Sequence, residues 1–194
     1  SAPLKLTENE CSTIGTELVH ALTRAIMGPA PEPALWEVDA NLRPEGKDGP
    51  LVRTVESYVQ YYKRWAENWE FQALLKARPI AGSAQLGARY ARAIDPFVWE
   101  SAARESFVES VQAMRARVTD NIPSHQVDRQ IKLGPGGLRD IEFTVQLLQL
   151  VHGRTDPAVR TKSTVDSLAA LTAVSYISRT DAEAFSRDYK KLRV

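Results

Sequence analysis

From Thr54 onward, apolar residues recur three and four positions apart with few interruptions, and a chain so patterned buries that stripe only by packing helix against helix. One run opens behind Thr54, Glu56 and Ser57 and carries Tyr58, Tyr61, Tyr62 and Trp65. A second, Asn68 to Ala77, carries Trp69, Phe71, Leu74 and Leu75 and is stopped by Arg78-Pro79. Further helices are predicted over 83–94, 96–121, 137–152, 164–175 and 180–194. Residues 54–194 therefore read as a helical bundle, cut short at its C-terminal end.

Residues 1–53 read differently. Ile14, Leu18, Val19, Leu22 and Ile26 predict an amphipathic helix from Thr7 to Ile26, capped by Thr7 or Asn9. Pro29, Pro31 and Pro33 then forbid helix, because each lacks an amide donor and has a fixed φ. Ala34 to Leu42 alternates in the manner of a strand, 42–50 is rich in turn residues, and Leu51 to Arg53 reads as a short return strand. The expected class is α+β, mainly α: a partial core of short strands over 1–53 followed by the bundle.

Hydrophobic residues make up 43% and charged residues 25%, the balance of a folded globular protein. The 25 Lys and Arg against 24 Asp and Glu leave a net charge of +1, which provides no single-sign field for nucleic acid or an anionic membrane. No stretch approaches the roughly 20 apolar residues that span a bilayer. The lone Cys11 has no disulfide or zinc partner and reads as a buried thiol in a reducing, cytoplasmic setting. A helical pattern within ten residues of Ser1, and an end at Val194 without glycine or proline, suggest a piece of a longer polypeptide.

Three motifs carry candidate chemistry. In Trp36-Glu-Val-Asp39-Ala-Asn-Leu-Arg43-Pro-Glu-Gly46, an acid placed mid-strand needs a cation, an arginine or water. A carboxylate on a rigid strand is suited to hold Mg²⁺, and Arg43 to neutralise phosphate; an exposed Asp followed by a turn has the same pattern. In Trp65 to Pro79, the residues Trp65, Trp69, Ala73 and Lys76 share one helical face, so Lys76 and Arg78 are placed either to meet a nucleotide phosphate or to sit as solvated cations at a helix end. In Ile131-Lys132-Leu-Gly134-Pro-Gly136-Gly137-Leu138-Arg139-Asp140, the glycines are expected to leave amides free for an anion at the start of a helix, with Lys132 beside them. That helix carries Arg139, Glu142, Gln146 and Gln149 in a narrow polar stripe, either a site or a set of packing bonds. His20, His125 and His152 have no partners at ligand spacing.

The succession WEVDANLRPEGKDGPLVRT, YVQYYKRWAENWEFQALLKARPIAG and IKLGPGGLRDIEFTVQLLQLVHGR resembles the glutamine synthetase adenylyltransferase/adenylyl-removing family from about Ala34 to the end. The wording of DPFVWESAARESFVESVQAMRARV is most like the N-terminal half, which removes AMP by phosphorolysis. The resemblance implies a nucleotidyltransferase-fold core followed by a helical domain, and an enzyme that adds and removes AMP on a tyrosine. It also implies Mg²⁺, ATP or ADP and phosphate at the site, and glutamine synthetase and the PII signal protein as partners. On this pattern Asp39 is the catalytic, metal-binding acid of a later strand, with Arg43 beside it, while Lys76, Arg78, Lys132, Gly136 and Gly137 serve the nucleotide. The family's Gly-Ser turn followed by Asp-x-Asp does not occur in this sequence, so transfer by this chain alone is not expected. Two alternatives are a helical protein-binding module and a related PII-uridylyltransferase.

Overall fold

A computed structural model describes residues 6–28, 34 and 36–193; the proline linker at 29–33, Leu35 and Val194 lie outside the described residues. Eight α-helices are described: α1 Glu8–Met27, α2 Val55–Arg64, α3 Asn68–Leu74, α4 Ala84–Glu100, α5 Phe107–Asp120, α6 Leu138–Gly153, α7 Thr164–Ala173 and α8 Arg179–Leu192. The chain divides into two compact units, 1–65 and 66–194.

Local chemistry explains most of the helix starts. Thr7 accepts from the Glu10 amide while Glu10 answers on the Thr7 amide, a reciprocal cap at the head of α1. Thr54, Ser83, Ser163 and Ser178 cap α2, α4, α7 and α8 in the same manner, each side chain accepting from an amide three residues on.

In the first unit, α1 buries none of its residues: Leu18 and Leu22 are 65% and 54% exposed. The buried thiol expected at Cys11 is an exposed one, because it lies off the half-buried face of its helix that carries Gly15, Val19 and Ile26. The strands expected over 34–42 and 51–53 do not form among the described residues; 37–40 is irregular and 41–52 is a series of turns and a 3₁₀ turn at Gly46–Asp48. An alternating segment becomes a strand only where a neighbour completes its backbone ladder, and no described segment supplies that edge. The regular structure of the described residues is helical without strands, so the helical bundle expected after residue 53 is borne out and the short-strand core before it is not shown.

The second unit is the bundle. Ile141 and Val145 of α6 meet Leu168 and Leu171 of α7, Ala182 and Tyr189 of α8, and Val159 of the preceding turn in one buried cluster. Fully burying each Leu or Ile side chain contributes about 1.5–3 kcal/mol, so this cluster is the principal support of the C-terminal part. Phe71, Leu75, Val98, Phe107, Val111 and Leu150 are also buried, and α3, α4 and α5 all meet α6.

Two helix boundaries depart from expectation. Pro96 does not start a helix but lies inside α4, where Ile94, Val98 and Trp99 are buried on either side of it. Their burial outweighs the one hydrogen bond the proline removes. The break comes later, at Ser106, whose φ of 51 turns the chain before α5. Trp65 and Trp69, expected on one helical face, belong to different helices: Trp65 ends α2 and is 73% exposed, and Glu67 starts α3 by donating its amide to Glu70.

Candidate functional site

Asp39 is exposed, and its Oδ1 accepts from the Asn41 amide at 2.8 Å, which sets the turn that follows. No group of three or more His, Cys, Asp or Glu that could hold a metal occurs among the described residues. Mg²⁺ is commonly held by one or two carboxylates together with waters and phosphate oxygens. Asp39 fits as one ligand of such a set and does not make a site by itself, so no reaction step is derived through a metal.

Four residues after Asp39, Arg43 is a clamp on its own loop. Its Nε donates to Gly49 O at 3.0 Å, Nη1 to Ala40 O at 2.7 Å and Nη2 to Lys47 O at 3.0 Å. The loop it gathers is tight: Pro44 is fully buried, Glu45 adopts a left-handed backbone and pairs with Arg53, and a Cβ on Gly49 would stand 2.1 Å from Pro44 O. Arg53 also lies over the Tyr61 ring. The loop that follows Asp39 is thus held rigid by its own side chains, and the Arg43 guanidinium is directed at carbonyls.

Lys76 reaches from the turn after α3 to the head of α7, donating to Lys162 O at 3.0 Å and Thr164 Oγ1 at 2.9 Å. Burial lowers its pKa, an effect that Glu142 opposes and that Arg193 and Lys162 reinforce. Arg78, two residues on, stays exposed at the edge of a small cleft, and Lys132 is exposed beside the glycine loop.

The glycine-loop amides, expected free, have partners within the protein. Gly134 N donates to Gln130 O, Gly137 N to Gly134 O, Leu138 N to Ile131 O and Arg139 N to Lys132 O, while Gly136 N donates to Asp140 Oδ2 at 2.7 Å. The glycines answer to crowding: a Cβ would lie 2.6 Å from Gln130 O at Gly134 and 2.5 Å from Ile131 O at Gly137. Arg115 completes the arrangement. Its Nε pairs with Asp140 Oδ1 at 2.6 Å, Nη2 donates to Leu133 O and Gly134 O, and Nη1 to Thr119. The motif is a loop folded back onto the start of α6 and locked by one Arg–Asp pair. Arg115 is the residue the motif reading missed. Its signal was available, since it lies four and eight residues after the buried Val111 and Phe107 on one face of α5.

The polar stripe of α6 is a set of packing bonds. Gln146 accepts from Gln72 Nε2 at 2.9 Å, Gln149 donates to Val159 O and Thr161 O, and Glu142 accepts from Arg139 and from the Tyr189 hydroxyl. Gln149 is 1% exposed and Gln72 Oε1 is buried without a partner, so the layer has little slack. Gln146→Leu strands the Gln72 amide donor as well and is expected to destabilise the chain by about 1–3 kcal/mol. Adding Gln72→Leu is expected to recover part of that loss, and urea midpoints of the single and double variants measure both.

Among the described residues no helix is long and apolar enough to cross a membrane. Residues 6–93 match the family model for glutamate-ammonia ligase adenylyltransferase, and residues 112–194 that for GlnD PII-uridylyltransferase. The bifunctional glutamine synthetase adenylyltransferase/adenylyl-removing enzyme of Leifsonia xyli is 63% identical over 93% of this chain and 18% of its own length. Its counterpart in Streptomyces coelicolor is 55% identical over 96% of this chain and 19% of its own length. That of Mycobacterium bovis is 58% identical over 83% and 16%. The chain thus spans less than a fifth of the length of the curated relatives it matches. An identity above one half, sustained through both compact units, assigns this chain to the family of bifunctional glutamine synthetase adenylyltransferase/adenylyl-removing enzymes.

Proposed function

We propose that this chain serves as part of a cytoplasmic nucleotidyltransferase that regulates glutamine synthetase, specifically the half that removes AMP from a tyrosine by phosphorolysis. The observation that carries the enzyme class is the 63% identity to a bifunctional enzyme along 93% of the chain; the choice of half rests on the wording of residues 95–118, which resembles the N-terminal copy. In the reaction, an oxygen of inorganic phosphate attacks the phosphorus of the tyrosine-linked AMP, the bond to the tyrosine oxygen breaks, and ADP leaves. Asp39 would supply one ligand for Mg²⁺, which would offset charge on the transferring group when bound. Lys132, exposed beside the glycine loop, is the proposed contact for nucleotide phosphate. Lys76, Arg43 and the amides of Gly136 and Gly137 act instead on the fold, given their internal partners.

The bundle's role is to hold its own glycine loop and Lys132 on a rigid support and to meet glutamine synthetase and the PII signal protein. The match of residues 112–194 to a uridylyltransferase model supports reading that region as a helical domain common to both enzyme types.

The 194-residue chain, given adenylylated glutamine synthetase and phosphate, is expected to release no ADP, whereas the complete enzyme does so. ADP release by the chain alone overturns the incomplete-site reading. A complete enzyme carrying Asp39→Asn that keeps both reactions overturns the assignment of Asp39.

A further inference from the structure

Several cations of the bundle, unlike exposed Lys132, are engaged within the protein: Lys76 on Lys162 O and Thr164, Arg115 on Asp140, and Arg160 on Gly153 O and over the Trp99 ring. One cleft departs from this rule. Bordered by the turn after α3, by α4 and by the segment before α7, it has about 150 Å³ of space, an apolar wall of Leu74, Ile94 and Val98, and Arg78, Lys162 and Asp95 at its edge. No side-chain hydrogen bond or ion pair joins any of those three charges to another described residue.

Lys162 is held in place from behind. Its carbonyl takes the Lys76 ammonium at 3.0 Å, and Thr164, two residues on, takes the same group at 2.9 Å. Protein packed around its own ammonium lowers the Lys162 pKa, and Asp95 opposes that shift. Lys162 is an exposed residue, but a cation kept on a pinned segment with protein on one side gains more from an added anion than one on a free surface. Arg78 brings a planar fork of donors that matches carboxylate and phosphate oxygens alike.

We propose that this cleft binds a compact oxyanion, a phosphate or carboxylate group on a molecule of few heavy atoms, with Lys162 and Arg78 as its cationic contacts. Asp95 accepts from a hydroxyl or ammonium of the same ligand, or from water, and the apolar wall takes its short carbon portion. Size sets the class. Sites for drug-sized ligands run to about 300–1,000 Å³, so this space suits phosphate or a four-carbon dicarboxylate better than a whole nucleotide. The proposal shares Arg78 with the nucleotide expectation but depends neither on Asp39 nor on AMP transfer.

Calorimetric titration of inorganic phosphate, and separately of succinate, into the 194-residue chain tests it and tells the two sources apart. One of them is expected to bind at a single site, at least tenfold more weakly in Lys162→Met and in Arg78→Gln. Affinity is expected to persist in Lys162→Arg and in Lys190→Gln, which alters an exposed cation on α8 outside the cleft. Circular dichroism confirms that each variant is folded, and Arg78, being exposed, decides the matter should Lys162→Met unfold. Silence with both anions, or equal affinity in wild type and Arg78→Gln, overturns the proposal.

Discussion

Asp39→Asn in the complete enzyme is expected to reduce phosphorolytic removal of AMP at least a hundredfold while leaving the opposite reaction intact. Partners that merely orient a metal ligand already cost about 10–100-fold in affinity or activity when removed, and a ligand itself contributes more. Asparagine makes the test clean. Its carbonyl still accepts from the Asn41 amide, so the turn bond of 2.8 Å survives, and the exposed site tolerates the loss of charge. The effect therefore belongs in the turnover number and in Mg²⁺ dependence, with the thermal midpoint unchanged. Two assays on one preparation read it: ADP release from adenylylated glutamine synthetase, and AMP incorporation into the unmodified form. Loss of incorporation alone moves the chain to the other half of the enzyme. Loss of neither removes Asp39 from the chemistry.

Gly137→Ala is expected to destabilise the bundle by about 2–4 kcal/mol, the combined cost of overpacking and of lost backbone hydrogen bonds. The added methyl would stand 2.5 Å from Ile131 O and 2.8 Å from Gly134 O, both backbone atoms. The loop can yield only by releasing the Leu138 N to Ile131 O bond that folds it onto α6. Gly136→Ala, one residue earlier, is the matched control. Nothing lies within 4 Å of its Cβ position, so the only cost is its left-handed φ of 71, about 1–2 kcal/mol. If the motif served mainly to expose amides to an anion, Gly136 and Gly137 would tolerate alanine about equally. Urea midpoints of the two variants therefore separate a packing role from a ligand role.

How far the fold could be read from sequence depended on the range of the interactions concerned. Caps at Thr7, Thr54 and Ser83 act over three residues, so the helix starts they govern were legible. Pro96 misled because its effect is decided by what packs around it: with Ile94, Val98 and Trp99 buried, α4 continues through it. The alternation at Ala34 to Leu42 misled for a related reason, since periodicity states which side chains share a face but not whether a neighbouring strand exists. At the candidate site, the hydrogen-bond partners of the chosen side chains were not legible. Arg43 and Lys76 are donors, as expected, but they donate to carbonyls and a hydroxyl of the protein. Arg115, outside the three motifs chosen for chemistry, holds the glycine loop.

Sequence alone determined the helical character of the bundle, the absence of a strong charge field and the family. These rest on local periodicity, on composition and on the wording of three separated motifs, all of which survive without a third dimension. Only the tertiary structure decided which charged groups are committed to the fold and which remain open. Lys76 and Lys162 look equivalent in the chain, yet one ammonium is bonded to the head of α7 and the other borders a cleft with no bonded partner. Hydrogen bonding and burial depend on atoms that meet across 86 positions of sequence, as at Lys76 and Lys162, and no local pattern carries that information.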